Sequence, residues 1–173
     1  LRQGGCESPL APAAAPAAPE VPPAPPPPVW QRLVPPTPQK NLLTPDVPGV
    51  LQPTGSGRLE SAKFGSTRTN PRGGAAFHEG VDIAATARDR KGVATDPVYA
   101  VAEGRVAFVN SVAGNSSYGK YVILEHPDPS LGLIARRDGW SGRGVVYTLD
   151  GQLADIRCGS RRGRTVQRGE EIG

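Results

Sequence analysis

The sequence predicts an all-β domain preceded by a Pro/Ala-rich segment without regular structure. Fifteen of the 20 Pro lie in residues 1–50, whereas 19 of the 22 Gly lie in residues 51–173. From Thr54 onward, short β-branched and aromatic runs alternate with Gly, Asn, Asp and Pro, and no stretch has a sustained apolar period of about 3.6 residues. We therefore divide the chain into a disordered tether, 1–53, and a compact antiparallel β domain, 54–173.

The tether is richest in Ala and Pro between residues 9 and 28. Proline fixes φ and has no N–H to donate, so this stretch favours an extended, polyproline-like spacer. Near its start, Cys6 follows Gly4 and Gly5, as small residues precede a lipidated bacterial cysteine, although Gln3 stands where an apolar residue is expected. Lipid anchoring at Cys6 and an incidental cysteine both remain open.

Four short runs are the candidate strands of the domain. Glu103-Gly104 separates the first two by a length that suits a hairpin. The polar stretch 111–118 precedes the third and is either a loop over a groove or an ordinary surface loop. The candidate strands are residues 97–101, 105–109, 120–125 and 145–149.

Composition and charge exclude several classes of protein. The net charge is +4, and the two cysteines, Cys6 and Cys158, do not imply a disulfide framework. No apolar run reaches the roughly 20 residues of a transmembrane helix. The arginines between 157 and 168 lack interleaved aromatic residues, so we expect a solvated face or contact with anionic polymers rather than nucleic acid.

The chemistry concentrates in Phe77–Ala84, where His78 and Asp82 place an imidazole and a carboxylate four residues apart. Both groups are zinc ligands. In a straight strand they would be roughly 13 Å apart, too far to share an ion. Gly80 lies between them and can supply the bend that brings them together. Taken alone, this spacing favours two solvated side chains over a metal site.

Four stretches resemble, in order and spacing, the pattern of the M23 (lysostaphin-like) zinc metallopeptidases. They are 64–68, 77–84, 96–106 and 118–126. The resemblance implies a compact β fold with a groove, a Zn²⁺ ion, and hydrolysis of peptide bonds in peptidoglycan by a periplasmic or secreted protein of the bacterial envelope. It also implies that His78 and Asp82 bind the zinc.

The chain departs from the family pattern in two places. Gln152 occupies the position of a family histidine that assists at the reacting centre. The third zinc ligand comes, in the family, from a His-x-His motif downstream of a stretch that resembles 166–173, so we expect the domain to be C-terminally incomplete here and the 173 residues to have little or no activity. Residues 127–165 diverge most, and a sequence error there is a further possibility.

Other residues offer competing interpretations of the site. His126 fits a structural histidine better than a ligand, and Cys158 fits a small core residue better than a thiolate ligand. Glu79 is adjacent to His78 and should face the opposite side of an extended strand, which disfavours it as a base. The alternative function is a catalytically degenerate M23-like module that binds peptidoglycan or an envelope partner without cutting it.

Overall fold

The structure, a computed structural model, is mostly β. Within the residues that it describes there are two antiparallel sheets and no helix of seven residues or more, so the all-β prediction is confirmed. The described residues are 33–39, 41, 47–126, 145–157, 159 and 161–173. No helix among them is long and apolar enough to cross a membrane. Most of the predicted tether, with Cys6, and the residue Cys158 lie outside these ranges.

The smaller sheet is a two-stranded hairpin, β1 (Gly65–Thr69) and β2 (Ala75–His78). A 3₁₀ turn, Leu59–Ala62, precedes it. The hairpin turn is closed by Asn70, whose Oδ1 accepts the N–H groups of Arg72 and Gly74 at 2.9 and 3.1 Å. This hairpin places the end of β2, and with it His78, opposite Gly65 at the start of β1.

The larger sheet has four strands in the order β5–β4–β3–β6. Three of them confirm the predicted strands 105–109, 120–125 and 145–149 to within one residue at each end. Asn110 follows as the last residue of β3, as predicted. The strands are β3 (Gly104–Asn110), β4 (Tyr121–His126), β5 (Val146–Asp150) and β6 (Thr165–Val166).

The predicted hairpin between 97–101 and 105–109 is wrong. Residues 97–101 bond instead to the C-terminal residues: the N–H of Ile172 donates to the carbonyl of Val98 at 2.7 Å, and the N–H of Ala100 donates to that of Glu170 at 2.9 Å. Strand β3 is bonded on its two sides to β4 and β6. A pairing across some 70 residues of sequence leaves no local signal, so the shorter connection at Glu103-Gly104 was misleading.

The core lies against one face of the larger sheet. Burial alternates along β4, with Val122, Leu124 and His126 inside, because successive side chains of a strand point to opposite faces. Each fully buried Val, Leu or Ile contributes about 1.5–3 kcal/mol relative to an exposed one. The fully buried apolar residues that pack together are Ala100, Val106, Val122, Leu124, Val166 and Ile172.

Residues N-terminal to 54 also contact this fold. The N–H of Gln52 donates to the carbonyl of Asp82, and that of Ala84 donates to the carbonyl of Val50, both at 2.9 Å. Val50 is buried. Further upstream, the N–H of Val34 donates to the carbonyl of Val101 at 2.9 Å. The bonds made by residues 50 and 52 hold the chain at Asp82 and Ala84. The boundary between 1–53 and 54–173 stays a prediction.

Candidate functional site

His78 and Asp82, the two residues predicted to share a metal, lie side by side. Nε2 of His78 is 3.4 Å from Oδ1 of Asp82. His78 ends β2, the chain bends at Gly80, and the N–H of Asp82 then donates to the carbonyl of Ala62 at 2.9 Å. Together with the bond from Gln52 to the Asp82 carbonyl, this anchors the backbone on both sides of the pair.

The imidazole of His78 has a defined orientation and tautomer. Its Nδ1 lies 2.9 Å from the carbonyl oxygen of Lys63. A carbonyl only accepts hydrogen bonds, so Nδ1 carries the proton and Nε2 is left with a lone pair that can accept a hydrogen bond. A backbone carbonyl behind the ring is the usual partner of a metal-binding histidine, because it fixes the ring and raises its basicity.

Arg68, on β1, completes the cluster. Its Nη2 donates to Nε2 of His78 at 3.0 Å and also to Oδ2 of Asp82. On its other edge, Nε donates to the carbonyl of Ser61 at 2.9 Å. The side chains of Arg68, His78 and Asp82 are 30%, 13% and 33% exposed, so the cluster is reachable from solvent.

Sequence reasoning assigned no role to Arg68. The relevant signal is register: Arg68 pairs with Ala76, which places it diagonally across from His78 on the same face of the hairpin. Only the structure supplies that register, since it contains an irregularity between Gly65 and Arg68.

Gln152 lies on the side of the site that Tyr118 occupies. Its backbone N–H donates to the carbonyl of Tyr118 at 2.7 Å, and the hydroxyl of Tyr118 donates to Glu79 at 3.3 Å. Gln152 is exposed and has a φ of 55°. Among the described residues, its side chain makes no hydrogen bond to His78 or Asp82. Tyr118 connects the backbone of Gln152 to Glu79, the residue that follows His78.

His126, unlike His78, is almost fully buried. It is 1% exposed, its Nδ1 lies 2.9 Å from the carbonyl of Glu103, and its Nε2 lies 2.9 Å from the hydroxyl of Thr148. Both ring nitrogens are therefore occupied by partners in the core, in agreement with the interpretation of a structural histidine. Glu79 is exposed and bonds to Tyr118 rather than to the pair, as expected for the neighbour of His78 in a strand.

Asp150, the last residue of β5, is a half-buried residue with a buried carboxylate oxygen that sequence reasoning missed. It lies opposite Val122, which is fully buried. Its Oδ2 is buried with no hydrogen-bond partner in the described part of the chain. Burial raises the pKa of Asp150 to about 6. No local sequence signal marks it, because a polar residue at a strand end is ordinarily solvated.

Two groups of aromatic side chains lie at the surface of the described fold. Phe64 and Phe77, both about 60% exposed, pack edge to face with ring centroids 5.1 Å apart, and Phe77 is adjacent to His78 in sequence. On the open face of the larger sheet, Tyr121 stacks on Phe108 at 5.7 Å and meets Tyr118 edge to face at 6.1 Å. Tyr118 thus connects this aromatic cluster to Glu79.

The geometry of the pair fits two ligands of one zinc ion. Zinc holds a histidine nitrogen at about 2.0–2.1 Å and a carboxylate oxygen at about 2.0–2.2 Å, which in a tetrahedron places the two atoms roughly 3.3–3.5 Å apart. The observed separation between His78 and Asp82 is 3.4 Å. Within the described ranges, no group of three or more His, Cys, Asp or Glu is arranged to hold a metal ion.

The arginine-rich stretch near the C-terminus is partly neutralised. Arg164 pairs with Glu170, and Nε of Arg157 lies 3.6 Å from Oε1 of Glu171. Both carboxylates lie in the segment that bonds to residues 97–101. These ion pairs therefore neutralise part of the positive charge of the stretch.

Comparison with known proteins identifies no relative of this chain. No protein-family model matches it, and neither a curated protein nor a solved structure is detectably similar. The M23 resemblance rests on the residues quoted above and stays a prediction.

Proposed function

We propose that this chain carries an M23-type zinc metalloendopeptidase domain that acts on the peptide cross-links of peptidoglycan in the bacterial envelope. The observation that supports it best is the 3.4 Å separation of His78 Nε2 and Asp82 Oδ1, with the Lys63 carbonyl holding the far side of the imidazole. When bound, zinc polarises the scissile carbonyl and activates a water molecule. His78 and Asp82 would hold the ion.

Two further parts of an M23-type site, the third zinc ligand and a histidine at the reacting centre, differ from the family pattern. A catalytic zinc usually has three protein ligands and one open position, and the M23 resemblance assigns the third to a His-x-His motif. Gln152 can donate a hydrogen bond to a developing oxyanion but cannot shuttle a proton near neutral pH. Cleavage should therefore be slower than with a histidine there, by roughly 10²–10⁴-fold.

A second function is favoured by Arg68 and Gln152 together. Arg68 satisfies both members of the pair with a guanidinium, and an amide stands at the position of the family histidine. Such a domain would bind peptidoglycan or an envelope partner without cutting it. The exposed aromatic residues around Tyr118 are suited to that role, because aromatic side chains dominate the binding energy of many interfaces.

Two assays on the same protein separate these functions. Incubation with purified peptidoglycan, followed by measurement of new amino groups, should reveal slow zinc-dependent release that a chelator and His78→Ala both abolish. Co-sedimentation with the insoluble polymer should persist in His78→Ala. Co-sedimentation without any release, at full zinc occupancy, would favour the binding module instead.

A further inference from the structure

We propose that Arg68 and a divalent metal ion compete for the His78–Asp82 pair, so that Arg68 holds the pair in a closed, metal-free state. Metal binding then requires the guanidinium to leave. This inference deepens the zinc site proposed above and rests on it. It makes Arg68 a positioning residue that sets how tightly the domain retains its metal.

The competition follows because Nε2 of His78 has only one lone pair. The Lys63 carbonyl keeps the proton of His78 on Nδ1, which leaves a single lone pair on Nε2. That lone pair accepts the hydrogen bond from Nη2 of Arg68 at 3.0 Å. The same lone pair would have to bind a metal, so the two states exclude each other.

Charge acts in the same direction. Nη2 of Arg68 also donates to Oδ2 of Asp82, so one guanidinium group satisfies both members of the pair. Arginine remains charged at all accessible pH values and cannot yield its place by losing a proton. Two cations within a few ångströms of each other repel strongly at a half-buried site. A metal ion can therefore bind the pair only after the guanidinium of Arg68 has moved away.

The closed state is built into the local fold. The 3₁₀ turn Leu59–Ala62 presents two consecutive carbonyls to the cluster: that of Ser61 accepts Nε of Arg68, and that of Ala62 accepts the N–H of Asp82, both at 2.9 Å. Ser61 and Ala62 are both buried. This one turn thus contacts both the guanidinium of Arg68 and the backbone of Asp82. The partial exposure of Arg68 allows its side chain to move away without unfolding of the domain.

Zinc titration of the purified chain by calorimetry tests this inference. We compare the wild type with Arg68→Gln and with Arg72→Gln, which removes the same charge from the exposed turn of the same hairpin. If the closed state holds nine-tenths or more of the molecules, freeing the pair tightens apparent zinc affinity by about tenfold or more. We expect that gain in Arg68→Gln and a change of less than about twofold in Arg72→Gln.

A metal-free readout accompanies the titration. The ¹⁵N shift of Nε2 in His78 should change in Arg68→Gln and stay the same in Arg72→Gln, because only the former loses the donor. Zinc binding with equal or weaker affinity in Arg68→Gln would overturn the competition and leave the zinc site standing. Absence of zinc binding in all three proteins, with a changed His78 shift in Arg68→Gln, would overturn both the competition and the zinc site.

Discussion

His78 and Asp82 are four residues apart in the chain, yet their Nε2 and Oδ1 atoms are 3.4 Å apart in space. An extended strand would separate them by roughly 13 Å. The bend at Gly80 and the bond from Asp82 to Ala62 account for the difference. The pair is therefore a product of local chain reversal, held on one side by the 3₁₀ turn and on the other by residues 50–52.

Replacing Gln152 with histidine should increase peptidoglycan cleavage by the zinc-loaded protein. An imidazole can exchange a proton near neutral pH where an amide cannot, which is worth about 10²–10⁴ in rate. Histidine tolerates positive φ better than most residues, so the φ of 55° is compatible with the change. The measurement is the initial rate of amino-group release at equal zinc content. An unchanged rate would indicate that this position plays no part in turnover.

Asp150→Asn should stabilise the fold at neutral pH. Burial raises the pKa of this carboxyl from 3.8 to about 6. Between these values the unfolded chain has released the proton that the folded chain keeps, so the free energy of unfolding falls as pH rises from about 4 to about 6. The full penalty, about 3 kcal/mol at most, persists above pH 6.

Urea denaturation at several pH values measures this effect. We expect Asp150→Asn to gain about 1–3 kcal/mol at pH 7 and to lose most of the slope between pH 4 and 6. Asp155→Asn removes a carboxylate that is exposed, so it serves as the control and should leave the slope intact. A loss of stability at pH 7 in Asp150→Asn would contradict the account of a carboxylate with a buried, unpaired oxygen.

Gly104→Ala should destabilise the protein, because the backbone of β3 passes directly beside His126. A Cβ at this position would lie 2.9 Å from Nδ1 of His126 and 3.0 Å from the carbonyl oxygen of Glu125. Overpacking of this kind costs about 1–3 kcal/mol. Gly55→Ala is the matched control, since nothing lies within 4 Å of its Cβ position. Thermal melting that is equal for the two variants would argue against close packing at Gly104.

The sequence predicted those parts of the fold and site that depend on local patterns. Short β-branched and aromatic runs marked β3, β4 and β5, and the M23 resemblance marked His78 and Asp82. The hairpin of β1 and β2 contains no such run and was not predicted as strands. Arg68 and Asp150 were missed for a different reason: their roles depend on strand register and on burial by residues distant in sequence.

Equilibrium zinc binding by the purified chain, read as zinc per chain at saturation, tests the central claim that His78 and Asp82 hold a metal ion. Glu79→Gln is the matched control, because Glu79 is the adjacent carboxylate and bonds to Tyr118 instead. The account predicts one zinc per chain in the wild type and in Glu79→Gln, and none in His78→Ala or Asp82→Ala. Zinc binding that survives both alanine substitutions, or that is absent from the wild type, would contradict it.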